Sequence, residues 1–141
     1  MEEGTFSKSI NLIINNSKQF KMKKFLAILV MVLGFTFTAQ AQKAKKVALE
    51  QTKGEFTQKS LTLSEGTYVF EIENAGVGHD VGFVLAPKGK TSEKHHIKNA
   101  YVTSLVKNNK KSKSKKVTLT KGEYVYFCPL NPTPQYTLIV E

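Results

Sequence analysis

Cys128 is the only cysteine of the chain and stands in the run Gly-Glu-Tyr-Val-Tyr-Phe-Cys-Pro, while His79 closes the stretch Glu-Asn-Ala-Gly-Val-Gly-His. A thiolate is a soft donor and a neutral imidazole a borderline one, and copper accepts both. Strand alternation over residues 123–128 puts Tyr124, Tyr126 and Cys128 on one face and Val125 and Phe127 on the other. With the tyrosines facing a core, the thiol points inward at a strand end, where a metal ligand would sit. A single cysteine has no internal disulfide partner, so in an exported protein it is buried, metal-bound or open to intermolecular oxidation.

Export is what the N-terminus indicates. Met22, Lys23 and Lys24 precede an apolar run over residues 25–37, followed by Thr38-Ala39-Gln40-Ala41. A basic start, a short apolar stretch and a small-x-small end have the layout of a secretory signal peptide, and the run is short for a membrane span. Cleavage after Ala41 is expected, leaving residues 42–141, and no cysteine lies beside the cut to carry a lipid. Residues 1–21 are polar, and read as a mis-called start or an extended leader.

The expected mature chain makes one domain. The full sequence carries 21 basic residues, all lysine, against 11 acids; five of those lysines and two of the acids precede residue 42, which leaves +7. Phosphate recognition leans on arginine forks, so an all-lysine surface argues against nucleic acid as the partner.

Two segments match in pattern. Leu61-Thr62-Leu63-Ser64-Glu65-Gly66-Thr67-Tyr68-Val69-Phe70 parallels Val117-Thr118-Leu119-Thr120-Lys121-Gly122-Glu123-Tyr124-Val125-Tyr126. Each reads as a short strand, a turn containing glycine, and a second strand rich in β-branched and aromatic residues. Further strands are expected over 47–51, 81–85 and 136–140, and a short helix or irregular strand over 97–106. About seven short strands imply an all-β sandwich, with a core from Leu61, Leu63, Tyr68, Phe70, Ile72, Val81, Phe83, Tyr124, Tyr126, Leu138 and Val140.

Residues 107–116 hold six lysines, Lys107, Lys110, Lys111, Lys113, Lys115 and Lys116. Such a run is first a solvated segment that keeps strand edges from pairing with another chain. It would also serve as a docking patch for an acidic partner.

The stretch Asn74-Ala75-Gly76-Val77-Gly78-His79-Asp80-Val81 resembles the histidine-bearing segment of the cupredoxins, the plastocyanin and azurin family. The run from Gly122 to Cys128 is similar to their cysteine-bearing strand, and the resemblance extends over roughly residues 55–141. It implies a Greek-key β-sandwich, a type 1 blue copper ion and one-electron transfer by a monomeric exported protein, periplasmic or secreted, to a redox partner. It implies no enzyme, and no serine–histidine–acid set or carboxylate pair stands out to suggest one.

The final loop departs from that family. It reads Cys128-Pro129-Leu130-Asn131-Pro132-Thr133-Pro134-Gln135. Aligned with a loop of amicyanin length, Asn131 falls at the second histidine and Pro134 at the methionine. An amide oxygen is a poor donor for soft copper and proline has none. His79 and Cys128 alone would hold Cu(I); Gln135 is a candidate weak axial donor, and His95 or His96 a replacement imidazole, although adjacent residues of an extended chain point apart. The alternative is a metal-free module that keeps the sandwich, with Cys128 as a small core hydrophobe.

Overall fold

The computed structural model describes residues 43–141. The expected leader segments, 1–21 and 22–41, lie outside the described residues. Among the described residues nine strands form two sheets. Strands β1 (Lys45–Thr52), β2 (Glu55–Phe56), β4 (Gly66–Asn74), β6 (Lys111–Lys113) and β7 (Val117–Leu119) make the first, in the order β2-β1-β4-β6 with β7 also paired to β4. Strands β3 (Ser60–Leu63), β5 (Val84–Pro87), β8 (Gly122–Phe127) and β9 (Tyr136–Val140) make the second, ordered β3-β9-β8-β5. β1 runs parallel to β4 and β3 parallel to β9, while the other pairings are antiparallel. The expected all-β sandwich is what the chain forms.

The two matched segments are corners between sheets. β3 pairs with β9 whereas β4 pairs with β1, and β7 pairs with β4 whereas β8 pairs with β5 and β9. In both corners the tyrosine two residues after the glycine donates its hydroxyl to the carbonyl four residues before it. Tyr68 Oη reaches Ser64 O at 2.8 Å, and Tyr124 Oη reaches Thr120 O at 2.8 Å. Gly66 and Gly122 have φ of 155° and 158°, which L side chains rarely adopt.

Alternation fills the core. Tyr68, Phe70 and Ile72 of β4 are buried, as are Val47 and Leu49 of β1. The expected core residues all belong to this cluster, Leu61, Leu63 and Tyr124 at its half-buried margin. Phe56 is fully buried as well, and no periodicity announced it, because its strand is two residues long. It packs edge-on against Phe83, Tyr126 and Tyr136 at ring-centroid distances of 6.1, 5.2 and 5.9 Å, separations at which aromatic pairs attract. Residues 97–106 form neither a helix of length nor a strand. They hold one 3-10 turn, Lys98–Ala100, and make isolated bridges from Val102 to Ser114 and from Val106 to Val81.

Candidate metal centre

β1 and β4 run side by side with Val47 opposite Phe70, Leu49 opposite Ile72 and Gln51 opposite Asn74. The inward stripe of both strands thus changes from apolar to amide on the same rung. Gln51 and Asn74 are fully buried, and a buried amide demands partners. These amides find them in the two segments that carry His79 and Cys128.

Asn74 closes the loop of His79 on itself. Its Nδ2 donates to His79 O at 2.7 Å and to Val106 O at 3.0 Å, while its Oδ1 accepts from Val77 N at 3.0 Å. The histidine side chain is exposed. Its Nδ1 lies 2.9 Å from Asp80 O; a carbonyl only accepts, so Nδ1 carries a proton there, and Nε2 is the nitrogen that makes no such bond. Val81 and Val106 then exchange two backbone hydrogen bonds, which pins the segment to residues 102–106.

Next along the chain, Gly82 faces two ways. Its N–H donates to Cys128 Sγ at 3.3 Å, and its carbonyl accepts from Gln51 Nε2 at 2.7 Å. Cys128 is fully buried and points inward with Tyr126, as the alternation required. Its own N–H donates to Thr133 Oγ1 at 2.9 Å, and Thr133 N returns a bond to Cys128 O at 3.3 Å. Thr133 therefore closes the final loop as a tight bracket around the cysteine backbone.

The remaining candidates make their hydrogen bonds to other groups or lie exposed. Asn131 is buried and every polar atom of its side chain is committed: Oδ1 accepts from Gly54 N at 2.8 Å, and Nδ2 donates to Gln51 Oε1 at 3.1 Å and Thr52 O at 2.9 Å. Gln135 is exposed. His95 is exposed with Nδ1 on Ser92 Oγ. His96 uses both nitrogens: Nε2 lies 2.9 Å from Thr91 O and Nδ1 2.7 Å from Tyr101 Oη. The carbonyl fixes the proton on Nε2, so Nδ1 accepts from the phenol. Burial, and after it the Glu93 carboxylate, raise the Tyr101 pKa and keep that phenol protonated. His96 also packs edge-on against Phe127 at 5.9 Å, and Phe127 leaves β8 on the face opposite Cys128. Among the described residues no three of His, Cys, Asp and Glu cluster as a metal site.

The lysine run divides. Lys111 and Lys113 lie on edge strand β6 and pair with Glu73 at 3.1 Å and Glu71 at 3.5 Å; Lys107 pairs with Asp80 at 3.7 Å. Beside the cysteine loop, Gly82, Phe83, Val84, Tyr101, Val102, Leu105, Pro129 and Leu130 line an almost wholly apolar depression of about 290 Å³. Leu105 and Leu130 are 52% and 50% exposed. Leu105 also borders a second depression with Lys107, Lys110 and Lys111.

The profile of the cupredoxin-like domain family matches residues 25–140. This chain belongs to that family. Solved structures agree with the fold. Auracyanin A, a blue copper protein from Chloroflexus aurantiacus, aligns over 68% of this chain and 98% of its own at 18% identity and a TM-score of 0.54. The auracyanin of Roseiflexus castenholzii aligns over 70% and 98% at 12% identity and 0.53. Auracyanin B aligns over 70% and 89% at 20% identity and 0.52. No curated protein sequence matches. Sequence reasoning on this cupredoxin missed Gln51, Asn74 and Thr133 as the groups that hold the His79 and Cys128 segments. For the first two a signal was present, since each is an amide at an inward position of an otherwise apolar stripe.

Proposed function

We propose that this protein is an exported cupredoxin that binds copper through Cys128 and His79 and carries one electron at a time. The observation that supports this reading is the Gly82 N–H to Cys128 Sγ bond, which ties the end of β8 to the segment that begins with His79. One thiolate and one imidazole fit a soft, low-coordinate Cu(I) ion and fall short of a four-donor blue-copper set. Copper, when bound, supplies the one-electron couple. The chain's own groups prepare its seat. The Gly82 N–H is aimed at the sulfur, burial keeps water from it, and His79, with Nδ1 on Asp80 O, has Nε2 left to meet an ion. Pro129, Pro132 and Pro134, with the Thr133 bracket, restrict the loop, so little rearrangement accompanies a change of charge.

The same reading gives the surface a role. A monomer would meet an acidic redox protein through the apolar depression at Leu105 and Leu130, steered by Lys107, Lys110, Lys111, Lys113, Lys115 and Lys116. It would do so in the periplasm or the medium. Among the described residues no helix is long and apolar enough to cross a membrane. Arginine-free charge leaves nucleic acid disfavoured, and no residue set suggests an enzyme.

Titrating metal-free protein with Cu(I) and then Cu(II) tests the reading. One equivalent retained, and lost in Cys128→Ser, is expected; no retention of either valence would overturn it. Asn131 favours a second reading, a metal-free binding or structural module. Its amide stands at the aligned histidine position but bolts the loop to β1 without any ion. In that case the melting temperature would ignore copper.

A further inference from the structure

We propose that Gln51 is a positioning residue: its carboxamide holds the carbonyl of Gly82, the residue whose own N–H meets Cys128 Sγ, and holds Asn131 so that the loop after Cys128 stays closed. The inference rests on the reading of Cys128 as the principal donor, and it assigns the geometry of that donor to a strand residue far away in sequence. Three observations converge. Gln51 is fully buried, with Nε2 on Gly82 O at 2.7 Å and Oε1 on Asn131 Nδ2 at 3.1 Å. Gly82 is the only residue whose N–H is seen to donate to the sulfur among the described residues. Asn74, on the same rung as Gln51, grips His79 O three residues earlier. The segment 79–82 is thus held at both ends by neighbouring amides of the β1–β4 pair, with the Val81–Val106 bridge between them.

Rotation of a peptide plane moves its C=O and N–H together. A bond that fixes the carbonyl before Phe83 therefore restrains the chain that aims the Gly82 N–H only if the rest of the segment is also fixed, and Asn74 and Val106 supply that. The direction is chemically specific. Gln51 must donate towards Gly82 and accept from Asn131, which a glutamine does with its two ends and an aliphatic residue does with neither. A packing role alone would need only the volume.

The test uses metal-free full chain and the variants Gln51→Met, similar in length but without either hydrogen bond, and Asn131→Ala, which removes one arm and leaves the Gln51–Gly82 bond. Three quantities are read: the NMR shift and hydrogen exchange of the Gly82 amide, the rate at which a disulfide reagent modifies Cys128, and the urea midpoint. In Gln51→Met the Gly82 amide should shift and exchange faster, and the thiol should react at least about tenfold faster than the loss of global stability explains. In Asn131→Ala the loop loosens while the Gly82 amide stays near its native shift. If both variants change thiol reactivity only in proportion to the urea midpoint, with the Gly82 resonance unmoved, Gln51 is a packing residue and the proposal fails. Should Gln51→Met fail to fold, Gln51→Asn, too short to reach both partners, takes its place. Copper retention is measured separately on the same proteins. A native protein without copper whose Gly82 amide still answers to Gln51 would sink the copper reading and leave the positioning role intact.

Discussion

At one end of the sandwich, two corners of like sequence close with like bonds. Tyr68 reaches back to Ser64 and Tyr124 to Thr120, each across four residues. At the other end β4 and β8 emerge at Asn74 and Cys128, where local closures by Asn74 and Thr133 are joined to one another by long-range bonds. Gln51 binds groups 31 and 80 residues away, and Asn131 reaches back 77 to Gly54. The corner end is a pair of turns, each closed by its own tyrosine and linked to the other by one bond from Lys121 N to Glu65 Oε1; the thiol end is one network made by the meeting of three chain segments. A network shared by several segments fails as a unit, because losing one member orphans its neighbours in a buried setting.

The sharpest way to break this contrast is Asn131→His, which restores the aligned donor but removes the bolt. Gly54 N, Thr52 O and Gln51 Oε1 would lose their partner together, and we expect a loss of about 3 kcal/mol or more in urea unfolding. Stability equal to the native protein would mean the thiol end can rearrange around a ligand. Next in size is Tyr126, whose hydroxyl donates to Gln58 O at 2.6 Å inside the core. Tyr126→Phe should lose about 1–2 kcal/mol. Burial, and after it the neighbouring Tyr136, push the Tyr126 pKa up to about 12. A folded-state pKa raised above the unfolded value of about 10 means its contribution is whole below pH 10 and lost as pH climbs towards 12. A pH series of thermal melts should show that alkaline loss in the native protein and a shallower one in Tyr126→Phe.

The corners sharpen the comparison from the other side. Tyr68→Phe should lose about 1 kcal/mol, and Tyr124→Phe less, since its bond is exposed where that of Tyr68 is part-buried. Effects that add in the double variant would mark two tyrosine closures that act independently; strong coupling would mean that the Lys121 N to Glu65 Oε1 bond makes the corners one unit. Smallest is Glu71, whose carboxyl is held below its usual pKa first by the hydrogen bond from Lys46, with Lys113 adding to the effect. A depressed folded-state pKa contributes stability above the unfolded value that is lost as pH falls through the folded one. Glu71→Gln should remove about a few tenths of a kcal/mol at neutral pH, visible in the urea midpoint and absent in acid.

Much of the fold was legible in the residues because its causes are local. The alternation Tyr68, Phe70, Ile72 named the inward face of β4, and the Gly-x-Tyr units marked both turns. That alternation did not reveal that each unit crosses between sheets, since a strand's pairing partner is chosen by registry with distant strands. Phe56 was invisible because two residues make no period. At the candidate centre, strand alternation correctly turned Cys128 inward. At His96, spacing in the chain carries no information about Thr91 and Tyr101, which lie within hydrogen-bond distance of its two nitrogens. Gln51 and Asn74 were legible in principle, for an amide on an apolar stripe asks where its partners are.

By itself the sequence determined the inward faces of β4 and β8, the two corners, the inward thiol and the absence of a histidine or methionine after it, because each follows from residue type and short spacing; the strand expected over 81–85 instead runs from Val84 to Pro87. Tertiary structure alone decided that Gly82 meets the sulfur, that Asn131 is a bolt, and that β1 supplies the amide holding both. Those contacts join segments whose separation in the chain says nothing about distance; they arise where buried polar groups, cut off from water, must find one another.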